Sequence, residues 1–404
     1  MNFMNKRFLA IILCIIICLS SCSVRKSELT KESSKADTSA GEASVDTTDT
    51  ADETTAAIPE TKASFVACGD NIIYFGTYRD AQAQAYDGGR EYNFRPIYRN
   101  VEEIISSADI AFINQETACS QSFPVESYPT FNSPVDLTYD ITDVGFDIIN
   151  LANNHMLDKG AQGLLDSYNN WKDRNLTVVG CYEESDSRYI TYYEKNEIKI
   201  AFVSYTYGTN LNEDPAGVGL YAPYLKQSDV AGDVKEAREN ADFVIVSVHW
   251  GEEGVMTPGE EQKQYAKIMA DNGADVIIGH HPHVLQPVEW LDGPDGKKCL
   301  CAYSLGNFVH EQDHDYNVPG GILSFDIVKN SDGTKADAVQ LIPTVCHYPS
   351  NFYNNVVYLF RDYSEELANQ HAVATYYNNP ISYDSLKEQI CNTIPAEFLP
   401  DYMK

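Results

Sequence analysis

The sequence predicts a layered α/β fold with a metal site at the carboxyl ends of its strands. Three observations lead there: short apolar runs of strand length, helix-like segments between them, and metal-ligating side chains directly after the runs. The runs are 64–68, 109–113, 146–151, 198–204, 243–248, 275–278 and 299–305. Several are continuously hydrophobic rather than alternating, as strands covered on both faces are. Strands alternating with helices imply a layered α/β architecture. One helix is marked at its start: Thr257, Pro258, Gly259 and Glu260 read as a capping box with Pro at the first helical position, opening a helix through about residue 271.

What precedes the first run is a different kind of sequence. Lys6 and Arg7 precede an apolar stretch from Phe8 to Leu19 and then Ser20, Ser21 and Cys22. A charged start, an apolar middle and a small-residue end describe an export signal, shorter than the roughly 20 residues that cross a bilayer as a helix. Residues 1–21 are therefore read as a signal peptide. Residues 22–62 are dense in Ser, Thr, Asp, Glu and Ala, with almost no large apolar side chains to offset ordering entropy, and read as a disordered tether. The folded domain is expected over 63–347. Residues 348–404, rich in Tyr and Asn, read as a C-terminal extension that caps the sheet or forms a small helical appendage, with no chemistry of its own.

Composition limits the partners. A formal charge of −30 with 43% hydrophobic residues suits a sizeable core but disfavours nucleic acid as a partner, and an anionic substrate would need cations at the site. Of ten Cys, Cys14 and Cys18 fall in the signal and Cys22 at its end. The remaining seven, an odd number without a C-x-x-C pair, do not form a disulfide framework. Cys299 and Cys301 flank Leu300 on one strand face and read as small buried side chains.

The residues after the runs carry the functional signal. Asp70 and Asn71 follow the first, Asn114 and Glu116 the second, Asn153, Asn154 and His155 the third. His249 follows a later run, then His280, His281 and His283, and finally Asn307. In layered α/β proteins ligands bind beyond strand carboxyl ends, so these groups should converge on one crevice. One His or Asn in a turn is ordinary loop chemistry, but repetition at six strand ends with carboxylate, imidazole and carboxamide groups points to divalent metal. Ligands spread over many strands exclude a closed structural zinc site. Their number suits two ions, which lie roughly 3.5 to 4 Å apart in two-metal hydrolases, and hydrolysis or group transfer as the chemistry. Zinc, manganese and iron all suit such ligands. The stretch 207–223 also follows a strand and reads either as a substrate loop over the crevice or, as composition alone favours, as an ordinary surface loop.

The motifs together resemble the CapA family, the capsule and poly-γ-glutamate synthesis proteins with a calcineurin-like metallophosphoesterase fold. The carriers are Cys68-Gly69-Asp70, Tyr92-Asn93-Phe94-Arg95-Pro96, Ala111-Phe112-Ile113-Asn114-Gln115-Glu116 and Asn150-Leu151-Ala152-Asn153-Asn154-His155 with Asp158 and Gly160. Further along come His249-Trp250-Gly251, Gly279-His280-His281-Pro282-His283 with the following Val284-Leu285-Gln286-Pro287, and Ser304-Leu305-Gly306-Asn307-Phe308. Leu19-Ser20-Ser21-Cys22 resembles the lipobox of bacterial lipoproteins, which implies lipid on Cys22 and an outward-facing, membrane-anchored protein. The family resemblance implies a layered metallophosphoesterase-like sandwich in which Asp70 and His283 bind one ion, Glu116 bridges two, and Asn154, His249 and His281 bind the second. His155 would act as acid or as a clamp on the substrate oxyanion, with His280 outside the ligand set. Asn71, Asn114, Asn153, Asp158, Trp250, His280 and Asn307 would support the ligands or meet substrate. Ile72 stands where phosphoesterases of that fold place a His, and Glu116 sits in an N-x-E pattern instead of G-D-x-x-D, so phosphatase activity itself is not implied. The implied role is a metal-dependent hydrolase or transferase acting on an extracellular anionic polymer such as poly-γ-glutamate, or a module that binds and anchors such a polymer without turnover.

Overall fold

A computed structural model of the chain describes residues 60–404 apart from 86–88, 184, 187, 212–214 and 216. Residues 1–21, read as a signal peptide, Cys22 and nearly all of the span read as a tether lie outside the described residues. Among the described residues no helix is long and apolar enough to cross a membrane. In chain order the strands are β1 (Thr61–Asn71), β2 (Ile110–Gln115), β3 (Ile148–Asn150), β4 (Thr177–Val179), β5 (Tyr182–Glu183) and β6 (Ile190–Lys195). They continue as β7 (Ile198–Thr206), β8 (Leu220–Tyr221), β9 (Phe243–His249), β10 (Val276–His280), β11 (Val288–Asp292) and β12 (Lys298–Ala302). The last are β13 (Asn307–Val309), β14 (Pro319–Asn330), β15 (Gly333–His347) and β16 (Val356–Leu359).

Two sheets face each other. One runs β16-β15-β14-β1-β2-β3-β4, with β13 also paired to β1; the other runs β11-β12-β10-β9-β7-β6. At the heart of the first, β1, β2, β3 and β4 are parallel. At the heart of the second, β7, β9, β10 and β12 are parallel. Strand alternation shows why these runs are continuously apolar. Ile200, Phe202, Phe243, Ile245, Val276 and Ile278 belong to the core shared with the first sheet. Their neighbours Ala201, Val203, Val244, Val246 and Ile277 join a second core, with Val234 from helix Val230–Asn240 and Met269 from helix Glu260–Asp271. Each strand thus buries both faces, one against a sheet and one against helices. Phe65, Phe112 and Phe202 stack across the inter-sheet layer, with ring centroids 6.3 to 6.5 Å apart.

Four boundaries differ from the sequence reading. Strand β1 starts at Thr61, inside the span read as tether, because Thr61 and Lys62 pair with Lys329 and Val328 and backbone pairing can recruit polar residues. The run 299–305 is not one strand. Residues 303–306 cross from β12 in one sheet to β13 in the other, and this crossing stacks the two sheets at the site. The helix expected to begin with a box at Thr257 begins at Glu260 behind Gly259. The Gly259 N–H donates to Gln262 Oε1 at 2.9 Å, so Gln262 closes the first turn and Pro258 lies before the cap. No boundary falls at residue 347: β16 extends the first sheet's edge beside β15, helices Glu365–Gln370, Ala372–Thr375 and Tyr383–Thr393 follow, and the Leu341 N–H donates to the Phe398 carbonyl at 2.8 Å. All seven cysteines among the described residues are free thiols, Cys299 and Cys301 both buried.

Candidate metal centre

The parallel strands of both sheets end at one place. Asp70 is near the end of β1, Glu116 directly follows β2, Asn154 and His155 follow β3, His249 ends β9, and His281 and His283 follow β10. Close approach there depends on glycine: a Cβ on Gly69 would lie 2.1 Å from the Gly306 carbonyl oxygen, and one on Gly279 would lie 1.9 Å from that of Tyr303. His281 and His283 leave β10 with positive φ, 95° and 56°, a conformation costly for side chains of this size and held here by the surrounding contacts.

The ligand set expected from the sequence is brought together and buried. His283 Nδ1 lies 2.9 Å from Asp70 Oδ2, and His283 Nε2 lies 3.5 Å from Glu116 Oε1. His249 Nε2 is 2.9 Å from Asn154 Oδ1 and 3.8 Å from Glu116 Oε1. The His281 ring lies 4.8 Å from that of His249 and 5.6 Å from that of His283. Asp70, Glu116 and His283 offer donor atoms within 4.8 Å of one another, and so do Glu253, His281 and His283.

Electrostatics shows what the set lacks. Neither Glu116 carboxylate oxygen has a hydrogen-bond partner although the residue is buried, and the same holds for His249 Nδ1 and His281 Nδ1. Burial, reinforced by the Asp70 charge, pushes the Glu116 carboxyl well above its ordinary range even against His283. Burial also opposes ionisation of Asp70, but hydrogen bonds and charge from His280 and His283 outweigh it and hold that carboxyl well below its ordinary range. Burial alone would lower His283; Glu116 and Asp70 raise it to about 9. Burial lowers His281 to about 3 and drives His249 well down, so both are neutral imidazoles able to ligate. A buried carboxylate with no donor, faced by the His249 and His283 imidazoles, is the environment a divalent cation fits.

The supporting residues separate into three groups. Asn114 Nδ2 donates to Asp70 Oδ1 at 2.8 Å, and Asn307 Oδ1 lies 3.1 Å from His283 Nδ1. Asn153 turns the chain by donating to the Gln115 carbonyl and accepting the His155 N–H. Asp158 Oδ2 lies 2.7 Å from His155 Nδ1 and also accepts the Phe131 N–H, while the Phe131 ring packs edge-on against the imidazole. His280 lies beneath Asp70, with Nδ1 3.4 Å from Asp70 Oδ1, and its ring stacks on Phe112. Two residues meet the site through their backbone only: the Asn71 carbonyl accepts the Glu116 N–H at 3.2 Å and the Trp250 N–H donates to the His280 carbonyl at 3.1 Å. Asn71 turns away to Gln115 Oε1 and the Tyr98 hydroxyl, and Trp250 points into the second core, donating from Nε1 to the Tyr303 carbonyl. Each follows a site residue by one position, so strand alternation sends it to the opposite face.

Three residues of the site escaped the sequence reading: Tyr207, Asn210 and Glu253. Of the two readings open for 207–223, the start of the segment agrees with the one at the crevice. The Tyr207 ring lies 4.6 Å from His281, its N–H donates to the His249 carbonyl, and the Asn210 N–H donates to that of Asn154. Glu253 follows His249 by four residues, between Gly251 and Gly254, where loop backbone and not periodicity sets its position.

The chain is similar to several known proteins. The CapA protein of PGA biosynthesis from Bacillus subtilis (strain 168) is 32% identical over 252 residues, 59% of this chain and 62% of that one. The capsule biosynthesis protein CapA of Bacillus anthracis is 39% identical over 179 residues, 43% of this chain and 42% of that one. The match thus spans less than two thirds of either relative's length. Among solved structures, a phosphatase from Mycoplasma pneumoniae superposes with a TM-score of 0.43 at 13% identity, covering 70% of this chain and 94% of that chain. The family description "Bacterial capsule synthesis protein PGA_cap" matches residues 64–312, from the middle of β1 past the Asn307 strand, and the chain belongs to that family.

Proposed function

We propose that the protein is a metal-dependent hydrolase or transferase of the cell envelope, acting on an extracellular anionic polymer such as poly-γ-glutamate during capsule synthesis. The observation that carries this reading is the buried Glu116 carboxylate, without a hydrogen-bond partner and faced by His249 and His283. Asp70, Glu116, Asn154, His249, His281 and His283 would hold two divalent ions, of manganese, zinc or iron. Bound ions of this kind supply Lewis acidity at the reacting centre.

The remaining chemistry belongs to the chain. His155 is held at Nδ1 by Asp158 and edge-on by Phe131, with Asn210 Nδ2 3.5 Å from Nε2; as the imidazolium it would donate from Nε2 to negative charge developing on the substrate. Asn114 and Asn307 fix Asp70 and His283, so the acid and imidazole keep their orientation when substrate arrives. Ions at the centre would also offset the −30 formal charge that otherwise repels an anionic polymer. Export and lipid on Cys22 rest on the sequence, and loss of palmitate-analogue labelling in Cys22→Ser checks the anchor.

Elemental analysis of the purified chain, followed by turnover assays on polyglutamates, phosphoesters and cell-wall fragments, tests the proposal. Bound metal with released product supports it. Bound metal with polymer retention and no product on any substrate supports the alternative, a binding and anchoring module. A chain that takes up no divalent metal overturns both.

A further inference from the structure

We infer that Glu253 is a displaceable carboxylate ligand for the ion at His281 and His283, holding the position that an anionic group of the substrate takes up. This rests on the metal-centre reading above and adds to it a residue outside the set of six ligands. Three observations carry it.

First, Glu253, His281 and His283 offer donor atoms within 4.8 Å of one another, the same closeness as Asp70, Glu116 and His283. His283 belongs to both groups, so an ion near Glu253 would adjoin the one near Asp70. Second, the two imidazoles are buried and His281 Nδ1 has no hydrogen-bond partner, so the side of the site nearest Glu253 has ligand capacity that the protein leaves unused. Third, Glu253 differs from the other acids in backbone setting and access. Asp70 and Glu116 are fully enclosed on strand ends, whereas Glu253 is exposed and sits between Gly251 and Gly254 with φ of 85° and 75°. The Gly254 N–H donates to the Pro282 carbonyl at 2.8 Å, which ties this loop to the His281-Pro282-His283 turn.

A catalytic metal site keeps one position open to solvent or substrate. Here the solvent-facing side carries a carboxylate on a loop. A Glu side chain ends in the same group as a polyglutamate side chain, so a substrate carboxylate can replace it at equal charge. Substrate entry would then exchange one carboxylate for another, without stripping an ion of its charge balance. The Tyr207 ring, 4.6 Å from that of His281 and tilted 44° to it, brings a second polar side chain to this side of the site.

The test compares the full chain with its Glu253→Gln variant, which keeps size and polarity at an exposed site and should melt within a degree of the parent. Both are stripped with chelator and titrated calorimetrically with Mn²⁺ alone. The expected result is a loss of about 10- to 100-fold in affinity at one class of ion, with the other class unchanged. The Mn²⁺-loaded proteins are then titrated with glutarate, which should bind the variant more tightly than the parent. Mn²⁺ affinities within twofold of the parent in both classes overturn the assignment of Glu253 as a ligand. Equal glutarate affinities overturn its displacement. A parent chain that binds no Mn²⁺ overturns the metal-centre reading itself and is distinguished by the first titration.

Discussion

Asn154 and His249, 95 residues apart in sequence, meet at 2.9 Å through Oδ1 and Nε2. Asn154 follows β3 in one sheet and His249 ends β9 in the other, so the pair joins the two sheets at their carboxyl ends. A shared ion would use the same two atoms. Asn154→Ala and His249→Ala should each weaken Mn²⁺ binding by at least about 10-fold, and the double variant should lose much less than the sum. Calorimetric titration of the three variants checks this. Full additivity would show that the two side chains serve different ions or none.

His280 and His283 are both buried and both face Asp70, at 3.4 and 2.9 Å, yet they differ in what else they reach. His283 also faces Glu116, while His280 is packed on Phe112 in the inter-sheet layer. His283→Ala and His281→Ala should lose bound metal. His280→Ala should keep most of it and lower the melting temperature, since emptying a buried aromatic site costs roughly 2 to 5 kcal/mol. Metal content by elemental analysis and a thermal melt separate the cases, and equal metal loss in all three variants would contradict the assignment.

His155 should be separable from the ligands. His155→Ala is expected to retain metal and fold while losing about 10² to 10⁴ in turnover on whichever substrate the panel reveals. Asp158→Asn should act through His155, lowering turnover without changing metal content, because Asp158 touches the imidazole and lies outside the ligand set. If His155→Ala loses the metals, the roles given to Asn154 and His155 must be exchanged.

Much of this site was legible because strand ends are local signals. An apolar run followed by Asp, Glu, Asn or His marks a position beyond a carboxyl end, and the six such runs lie wholly or partly in strands. Orientation was less legible. Asn71 and Trp250 carry suitable chemistry beside Asp70 and His249, but the period of two turns them into packing and backbone bonds on the other face. Tyr207 and Glu253 were invisible for another reason: they stand on loops, where no periodicity reports which way a side chain points. The β12 to β13 crossing was hidden by apolar residues that continue through it, since residues 303–305 are buried whether the chain stays in one sheet or changes sheets.

Glu311 gives the fold a pH signature outside the ligand set. It is buried, accepts the Gly76 N–H and the Thr77 hydroxyl, and burial raises its carboxyl to about 7. A carboxyl raised above its unfolded value holds its proton more tightly when folded, so stability falls as pH rises from about 4.5 to about 7 and stays low above that. Glu311→Gln cannot ionise. The variant should gain on the parent across this window by up to about 3 kcal/mol, on top of a constant offset from the altered hydrogen bonds. His347 and His371, lowered by burial to about 4 and about 3, act with the opposite sign, losing stability as pH falls below about 6.5, but they are common to both chains and cancel in the difference. Urea midpoints of parent and variant at pH 5 and pH 8 check it, and a pH-independent difference would refute the buried-acid account.

Gly69 is the position where packing and chemistry meet most directly. A Cβ there would lie 2.1 Å from the Gly306 carbonyl oxygen, which also accepts the Asp70 N–H at 3.0 Å. The clash is with backbone on both sides, so no rotamer change relieves it. Gly69→Ala must therefore separate β1 from the chain crossing between sheets, and the residue displaced with it is Asp70, whose Oδ2 lies 2.9 Å from His283 Nδ1. Overpacking of this kind typically costs about 1 to 3 kcal/mol, and the displacement should also weaken Mn²⁺ binding. Gly208→Ala is the control, since an added Cβ there meets nothing within 4 Å and stability should change by no more than about 0.5 kcal/mol. Thermal melts and Mn²⁺ titration of both variants test the link. A Gly69→Ala chain that melts and binds like Gly208→Ala would mean that the strand contact does not position Asp70.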